Sequence, residues 1–192
     1  MRRIELSIQP GQVYRPKDFA ACARNPTVVL ERLVRQEKLV KLGHGLYYCP
    51  QQGRFGPRPP ETDKLLSAFL DRRPFVRSGP EFWNGLRLGP TGLAAKPMVY
   101  NAVRSGELRV GQRTFLFRRV PFPLAPNREW YAVDLLNNAR QVGAAFTDLA
   151  TALTTALRES RLHPGSFFDA VDKYGTRATK KLVREELDAL RP

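Results

Sequence analysis

The sequence predicts an α+β protein of two domains. Short β-prone runs alternate with helical apolar spacing over the first 120 residues, whereas the spacing is helical from Trp130 onward. A length of 192 residues suits one medium domain or two small ones, and the proline and glycine content of residues 50–60 is typical of an extended linker. We therefore expect one domain at residues 1–52 and a mixed α/β domain with a small sheet and C-terminal helices at residues 61–192.

The first domain begins with two predicted helices. An extended piece from Val13 leads into a short helix with Pro16 in its first turn, which ends near Arg24. Asn25 is suited to cap a second helix that begins at Pro26. Helical spacing places four apolar residues on its inner face: Val29, Leu30, Leu33 and Val34. The opposite face is the side available for base edges and phosphates, and it carries Thr27, Val28, Glu31, Arg32 and Arg35.

A hairpin follows the second helix. Two β-prone runs, residues 39–42 and 46–49, surround the turn Gly43-His44-Gly45. Helix, tight turn, helix and hairpin is the element order of a winged helix-turn-helix. The glycines let the hairpin tip, with Lys41 and His44, approach phosphate or a minor groove closely. Tyr47 and Tyr48 are neighbours on one strand, so we expect one in the core and one on the surface.

The second domain is predicted to mix short strands with helices. Residues 61–72 and 80–86 have helical spacing, and strands are expected at residues 75–78, 98–103, 107–110 and 114–120, the last two joined by the turn 111–113. Four helices are expected near residues 129–139, 144–160, 164–173 and 175–190. The last of these helices either docks on the sheet or holds a partner protein.

The charge distribution favours a polyanionic partner for the front of the chain. The formal net charge is +14, and Lys and Arg outnumber Asp and Glu by 11 to 4 in residues 1–60, 11 to 5 in residues 61–125 and 10 to 9 afterwards. Nucleic acid is the leading candidate, although many soluble proteins are basic for no specific reason. The predicted sheet could add a second cationic surface, or its arginines could lie on ordinary half-exposed strands: Arg104, Arg109, Arg113, Arg118 and Arg119.

No pattern predicts a metal, a cofactor or an active site. Cys22, Cys49, His44 and His163 lack metal-ligand spacing, and the two cysteines are expected to be free thiols in a reducing cytoplasm. No apolar run is long enough to cross a bilayer, so we expect a cytoplasmic protein without membrane contact. The nuclease-like, phosphate-binding and serine-based patterns in the sequence are each incomplete as well.

A restriction-type nuclease needs clustered carboxylates. Here Glu107 is followed by Arg109 where that motif has lysine, and no Pro-Asp pair precedes it. The loop Gly89-Pro90-Thr91-Gly92 lacks the Gly-Lys-Ser/Thr of a phosphate-binding loop. Ser78 and Ser105 lack a His and Asp set and are expected in turns. We therefore expect a protein that is not an enzyme, with a DNA-targeted metal-dependent nuclease as the alternative.

Several stretches resemble a known family. Residues 12–19, 30–35 and 43–50 resemble the N-terminal winged helix of the AbiEi family of antitoxins. Ser78-Gly79, Leu88-Gly89 with residues 96–100, and residues 110–113 with 115–119 resemble the start of that family's C-terminal domain. The likeness covers about residues 8–120, and residues 89–95 depart from the family's leucine-threonine-glutamine pattern.

The resemblance implies an antitoxin of a bacterial type IV toxin-antitoxin system. Such a protein represses its own operon by binding inverted repeats of duplex DNA upstream, and it opposes a nucleotidyltransferase-like toxin. We expect a monomer in solution or a dimer on DNA. The basic charge is also compatible with a transcription regulator that has no antitoxin role, and with a structural or RNA-binding protein.

The DNA contacts are assigned from the second helix and the hairpin. Residues near the start of the helix are expected at base edges: Arg24, Thr27, Val28 and Arg32. Six further residues are expected at phosphates: Arg15, Lys17, Arg35, Lys38, Lys41 and His44. For any one of these cations, and for His44, an ordinary solvated surface position is the alternative.

Overall fold

A computed structural model describes residues 8–88 and 96–191 of the chain. These residues form seven α-helices and nine strands, so the α+β prediction is confirmed. Contacts divide the chain into two compact units, of which the first extends to Pro74 and includes Val110–Arg113, and the second contains the rest from Phe75. None of the described helices is both long and apolar enough to cross a bilayer.

The first unit begins with β1 (Val13–Tyr14) and a 3-10 turn at Pro16–Phe19. The helix predicted as far as Arg24 is therefore only one turn long. Ala20 and Cys22 donate backbone hydrogen bonds three residues back, to Lys17 and Phe19, which is the tight 3-10 pattern. Pro26 also disfavours helical geometry at the residue before it, so the first helix could not continue into the second.

Helix α1 spans Pro26–Arg35 and starts as predicted. The Asn25 side chain accepts a hydrogen bond from the Val28 amide at 3.5 Å, and Pro26 occupies the first helical position. Leu30 and Leu33 are buried and Val29 and Val34 are half-buried, which confirms the predicted apolar face. That face packs in a core formed by six buried residues: Phe19, Leu30, Leu33, Leu39, Tyr47 and Cys49.

The predicted hairpin consists of β2 (Val40–Gly43) and β3 (Leu46–Tyr48). The two strands are antiparallel, and β1 pairs with the other edge of β3. His44 and Gly45, with φ of 51° and 71°, supply the two positive φ angles of a type I′ turn.

The prediction that one of the two tyrosines lies on the surface is wrong. Tyr47 and Tyr48 are both buried, and Tyr47 belongs to the core of the first unit. The Tyr48 hydroxyl donates a hydrogen bond to the Arg58 carbonyl at 2.8 Å. The segment after residue 50 therefore covers the strand face that was expected to meet solvent.

Residues 51–58 do not form the extended linker that their composition predicts. Instead β4 (Gln51–Gly53) and β5 (Gly56–Arg58) pair as an antiparallel hairpin, and α2 (Thr62–Phe69) follows. A two-stranded hairpin has only edge strands, so Pro57 is tolerated there. Gly56 supplies the positive φ of 109° that the return of the chain requires.

The second unit has a four-stranded sheet in the order β6-β7-β9-β8. The strands are β6 (Phe75–Ser78), β7 (Met98–Asn101), β8 (Gly106–Val110) and β9 (Arg113–Arg119). Strand β7 is antiparallel to β6 and parallel to β9. It ends two residues earlier than predicted because the Asn101 side chain accepts hydrogen bonds from the amides of Val103 and Arg104, each at 2.8 Å, and turns the chain.

The helices of the second unit lie close to their predicted positions in the sequence. Helix α3 (Pro80–Trp83) runs on into a 3-10 turn at Asn84–Leu86. The C-terminal helices are α4 (Arg128–Asn137), α5 (Phe146–Arg158), α6 (Pro164–Tyr174) and α7 (Arg177–Glu186). Their apolar faces share one core with β6 and β7, which includes Val76, Met98, Leu136, Leu153 and Phe167.

Candidate nucleic-acid interface

The outer face of α1 is open to solvent. Thr27, Val28, Arg32 and Arg35 are exposed, and Val28 is 60% exposed although it is apolar. The inner face holds the helix through Leu30, which is fully buried. The helix therefore combines a fixed backbone with an outward surface of hydrogen-bonding and methyl groups, as predicted for base-edge contacts.

Four cations around α1 are available for an external partner. Arg24, Arg32, Arg35 and Lys38 are exposed, and none of them forms an ion pair or a side-chain hydrogen bond with any residue that the structure describes. An exposed Lys or Arg without an internal partner binds phosphate at no cost in broken contacts. The DNA contacts of these four residues stay predictions.

Lys41 connects the hairpin to the helix. Its Nζ lies 3.0 Å from Oε1 of Glu31 on α1, and this hydrogen bond and the charge of Glu31 raise the pKa of Lys41. The side chain is 52% exposed, so the pair is of the weak surface kind that a phosphate can replace. Glu31 also partly neutralises the face where DNA binding was predicted.

Arg15 and Lys17 are engaged within the first unit. Both form ion pairs with Asp71, just after α2, with Lys17 Nζ 2.6 Å from Oδ1, and Arg15 also donates to the Phe69 carbonyl at 3.3 Å. The hydrogen bond from Lys17 and the two positive charges hold the pKa of Asp71 below its usual range. The structure thus gives these two cations an internal role, and their predicted phosphate contacts would compete with Asp71.

His44 lies exposed at the tip of the β2–β3 hairpin, where it was predicted. Its ring makes an edge contact with Phe69, with 6.2 Å between the ring centroids. The residue stays exposed despite this contact. A phosphate contact by His44 stays a prediction.

A second projection was not predicted from the sequence. The β4–β5 hairpin carries Phe55, 96% exposed, at its tip, with the Arg54 guanidinium 5.7 Å from the ring centroid. Arg58 is also exposed on this hairpin. The signal was present in the sequence, because Gly53 and Gly56 bracket a two-residue Arg-Phe turn between short polar runs.

The five sheet arginines are divided between surfaces. Arg104, Arg109, Arg113 and Arg119 are exposed, whereas Arg118 is half-buried. Arg118 and Arg119 are neighbours on β9 and therefore point to opposite faces of the sheet. Arg113 donates to the Pro60 carbonyl and to Thr62 Oγ1 at 3.4 and 3.3 Å. The neighbouring arginines of β9 therefore do not lie together on one face of the sheet.

The two side chains that resemble catalytic groups, Glu107 and Ser105, have structural partners. Glu107 pairs with Lys96 at 2.6 Å, and the part of the chain that the structure describes contains no group of three His, Cys, Asp or Glu residues that could hold a metal. Ser105 accepts a hydrogen bond from the Arg119 amide at 3.0 Å. The loop Gly89–Gly92, and the rest of residues 89–95, lie outside the described residues.

Ser78 is not in a turn, contrary to the prediction. It ends β6, is fully buried, and donates its hydroxyl proton to the carboxylate of Asp134 on α4. The serine side chain satisfies a buried acid there, which explains why a polar residue occupies that strand position.

The two cysteines are free thiols, Cys22 exposed and Cys49 buried. Burial raises the pKa of Cys49, which makes its thiol less reactive. Neither residue contributes to the outer face of α1.

Comparisons with known proteins do not identify a family for this chain. No protein-family model matches the chain. A search of curated proteins found no match either.

Proposed function

We propose that this protein binds duplex DNA through α1 and the β2–β3 hairpin, and acts in the cytoplasm as the antitoxin and autorepressor of a type IV toxin-antitoxin operon. The observation that carries the DNA-binding proposal is the outer face of α1. Within the described residues, four exposed cations in and around this helix lack an internal partner, and the helix is held from behind by a buried apolar face.

Sequence readout is assigned to the first two turns of α1. Arg32 is exposed and can form two parallel hydrogen bonds to the O6 and N7 atoms of guanine. Thr27 and the exposed Val28 offer methyl groups that suit the methyl group of thymine. Arg24 precedes the helix cap and completes the set of base contacts.

Phosphate binding is assigned to residues on both sides of this helix. Arg35 and Lys38 lie at its C-terminal end, and Lys41 and His44 lie on the hairpin. Each phosphate neutralised by such a cation releases counterions, which contributes a slope of about −0.9 to the dependence of log affinity on log salt concentration. Arg15 and Lys17 are secondary phosphate contacts, because Asp71 already binds them.

The biological part of the proposal is supported by the resemblance to AbiEi antitoxins. Repression of its own operon requires inverted repeats upstream of the gene, with one copy of the chain on each repeat. Neutralisation of a nucleotidyltransferase-like toxin is assigned to the second unit. The net charge of that part of the chain is nearly balanced after residue 125, which suits a surface that meets another protein.

A gel shift with the full chain and its own upstream DNA tests the DNA-binding proposal. We expect a shifted complex in physiological salt that scrambled DNA of the same length and composition does not compete away. The Arg32→Ala variant should lose this preference. Its matched control is Arg158→Ala, which removes an exposed arginine at the end of α5 and should bind like the wild type. Equal binding of both DNAs would contradict the repressor proposal and would favour a nonspecific nucleic-acid binder.

Co-expression tests the antitoxin role separately. The neighbouring nucleotidyltransferase-like gene, if toxic alone, should become tolerated when this chain is produced from an unrelated promoter. Continued toxicity together with specific DNA binding would leave a transcription regulator and refute the antitoxin assignment.

A further inference from the structure

The second unit contains a polar cavity that the proposed DNA-binding function does not use. Its volume is about 360 Å³, and the residues that matter for its chemistry come from the sheet and from α4, α6 and their ends. These residues are Tyr100, Arg118, Asp134, Asn138, Lys173 and Tyr174. The volume falls in the range of about 300 to 1,000 Å³ that is typical of small-molecule sites.

The floor of the cavity is a buried carboxylate network. Asp134 is 2% exposed, and four donors surround it, two on each carboxylate oxygen. Ser78 and the Trp83 ring nitrogen bond Oδ2, the latter at 2.9 Å. The Tyr100 hydroxyl and the Asn138 amide bond Oδ1, the latter at 3.0 Å. These bonds fix the position of each group that the cavity presents.

Two cations line the same cavity. Arg118 lies beside Tyr100 in the register of β9 and β7. Burial and the charge of Asp134 raise the pKa of the Tyr100 hydroxyl, and the charge of Arg118 opposes this rise only weakly. Arg118 is half-buried and Lys173 is exposed, and neither forms an ion pair with any residue that the structure describes. Because the Asp134 oxygens are already engaged, the two cations are available to an anion from outside.

A solvent-accessible acceptor atom and an aromatic ring complete the cavity lining. Asn138 is 6% exposed, and its amide nitrogen bonds Asp134 and Tyr100. Its carbonyl oxygen Oδ1 has no hydrogen-bond partner among the described residues, so it can accept from a ligand hydroxyl or amino group. Tyr174 is half-buried, and its ring forms no aromatic pair with any described residue.

We propose that this cavity binds a mononucleotide, with its phosphate at Arg118 and Lys173, a hydroxyl or amino group at Asn138 Oδ1, and its base against Tyr174. Two cations and a planar ring surface are the groups that recognise a phosphate ester with an aromatic base. The buried network at Asp134 preorganises the acceptor, so the ligand does not have to order it. The site lies entirely in the second unit and does not depend on DNA binding by the first.

Titration calorimetry on the full chain tests the site directly. The probes are AMP, GMP, CMP and UMP, with inorganic phosphate and the four corresponding nucleosides as the two halves of each ligand. We expect at least one nucleotide to bind with a dissociation constant below about 1 mM, and its nucleoside and phosphate each to bind at least about tenfold more weakly. If none of the four nucleotides binds, the proposal is overturned.

Two variants locate the bound phosphate. Arg118→Gln and Lys173→Gln should each weaken nucleotide binding by about tenfold or more, since each removes a charge-assisted hydrogen bond. Arg158→Gln removes an exposed arginine that does not line the cavity and should bind like the wild type. Unchanged melting temperatures will show that the two cavity variants fold.

Three further outcomes would overturn the proposal. Wild-type affinity in a folded Arg118→Gln variant would place the nucleotide elsewhere. Phosphate binding as tight as nucleotide binding would show an anion site without base recognition. Binding of the nucleoside as tight as that of its nucleotide would show that the cations play no part.

Discussion

Replacement of Asp134 by alanine should destabilise the second unit strongly. The substitution removes both oxygens that bind four donors from four elements, namely β6, α3, β7 and the end of α4. The donors on Oδ1 can rebind water from the adjoining cavity, whereas Ser78 is fully buried and Trp83 is 3% exposed.

Each buried donor left without a partner costs about 1 to 3 kcal/mol, which gives about 2 to 6 kcal/mol for the two on Oδ2. Removal of a buried charge recovers part of its desolvation energy, and breaking comparable buried pairs costs about 3 to 5 kcal/mol. We therefore expect the free energy of unfolding to fall by about 3 kcal/mol or more.

The two tryptophans of the chain provide a selective assay. Trp83 and Trp130 both lie in the second unit, so the intrinsic tryptophan fluorescence during urea unfolding reports on that unit alone. The control is Glu186→Ala, which removes an exposed acid at the end of α7 and should change stability by less than about 0.5 kcal/mol. A loss below about 1 kcal/mol for Asp134→Ala would refute the stabilising role of the network.

The pH dependence adds a second test of the same residue. Burial raises the pKa of Asp134 above the ordinary value of 3.8, although the four hydrogen bonds oppose the shift. A raised folded-state pKa gives a stability contribution that is fully present below pH 3.8 and is lost as the pH rises through the folded-state pKa. The alanine variant lacks this contribution, so the difference in unfolding free energy should grow as the pH is lowered from about 7 towards about 4. A difference that shrinks over this range would contradict the sign of the shift.

Three further predictions concern the first unit. Arg32→Ala should weaken binding to operator DNA by about 1 to 3 kcal/mol and reduce the sequence preference of the protein. Equal losses of affinity for operator and random DNA in anisotropy titrations would show that Arg32 does not contact a base. Lys41→Ala should weaken binding to all sequences evenly and reduce the slope of log affinity against log salt concentration by about 0.9. An unchanged slope would show that Lys41 does not contact phosphate. Arg158→Ala is the control for both binding variants. Leu30→Ala should lower the unfolding free energy of the first unit by about 2 to 5 kcal/mol, because the Leu30 side chain is fully buried. Circular dichroism during unfolding measures this loss, and a loss under about 1 kcal/mol would contradict the role of Leu30 in the core.

The elements with local signals could be predicted from the sequence. The Asn25-Pro26 cap and the apolar spacing behind it predicted α1, and the glycine-flanked turn at His44 predicted the first hairpin. These features depend on a few neighbouring residues, so no tertiary contact is needed to recognise them. The exposed face of α1 followed from the same spacing.

The missed features depend on contacts between distant residues. The buried Tyr48 donates its hydroxyl proton to the backbone carbonyl of Arg58, ten residues later, whereas the prolines nearby had indicated a linker. Asp134 is the acidic residue in the otherwise apolar stretch Trp130–Leu136, which is a signal for a buried polar network. Its partners Ser78 and Tyr100 lie 56 and 34 residues away, so the network and the cavity above it could not be assembled from spacing alone.

Sequence readout by the outer face of α1 requires that the chain prefer its own upstream DNA. The ratio of the dissociation constants of the full chain for scrambled and upstream DNA, from fluorescence anisotropy at about 150 mM salt, measures this preference. We expect a ratio of about 10³ or more, which falls markedly in the Arg32→Ala variant. A ratio near 1 for the wild-type chain would show that α1 does not read DNA sequence.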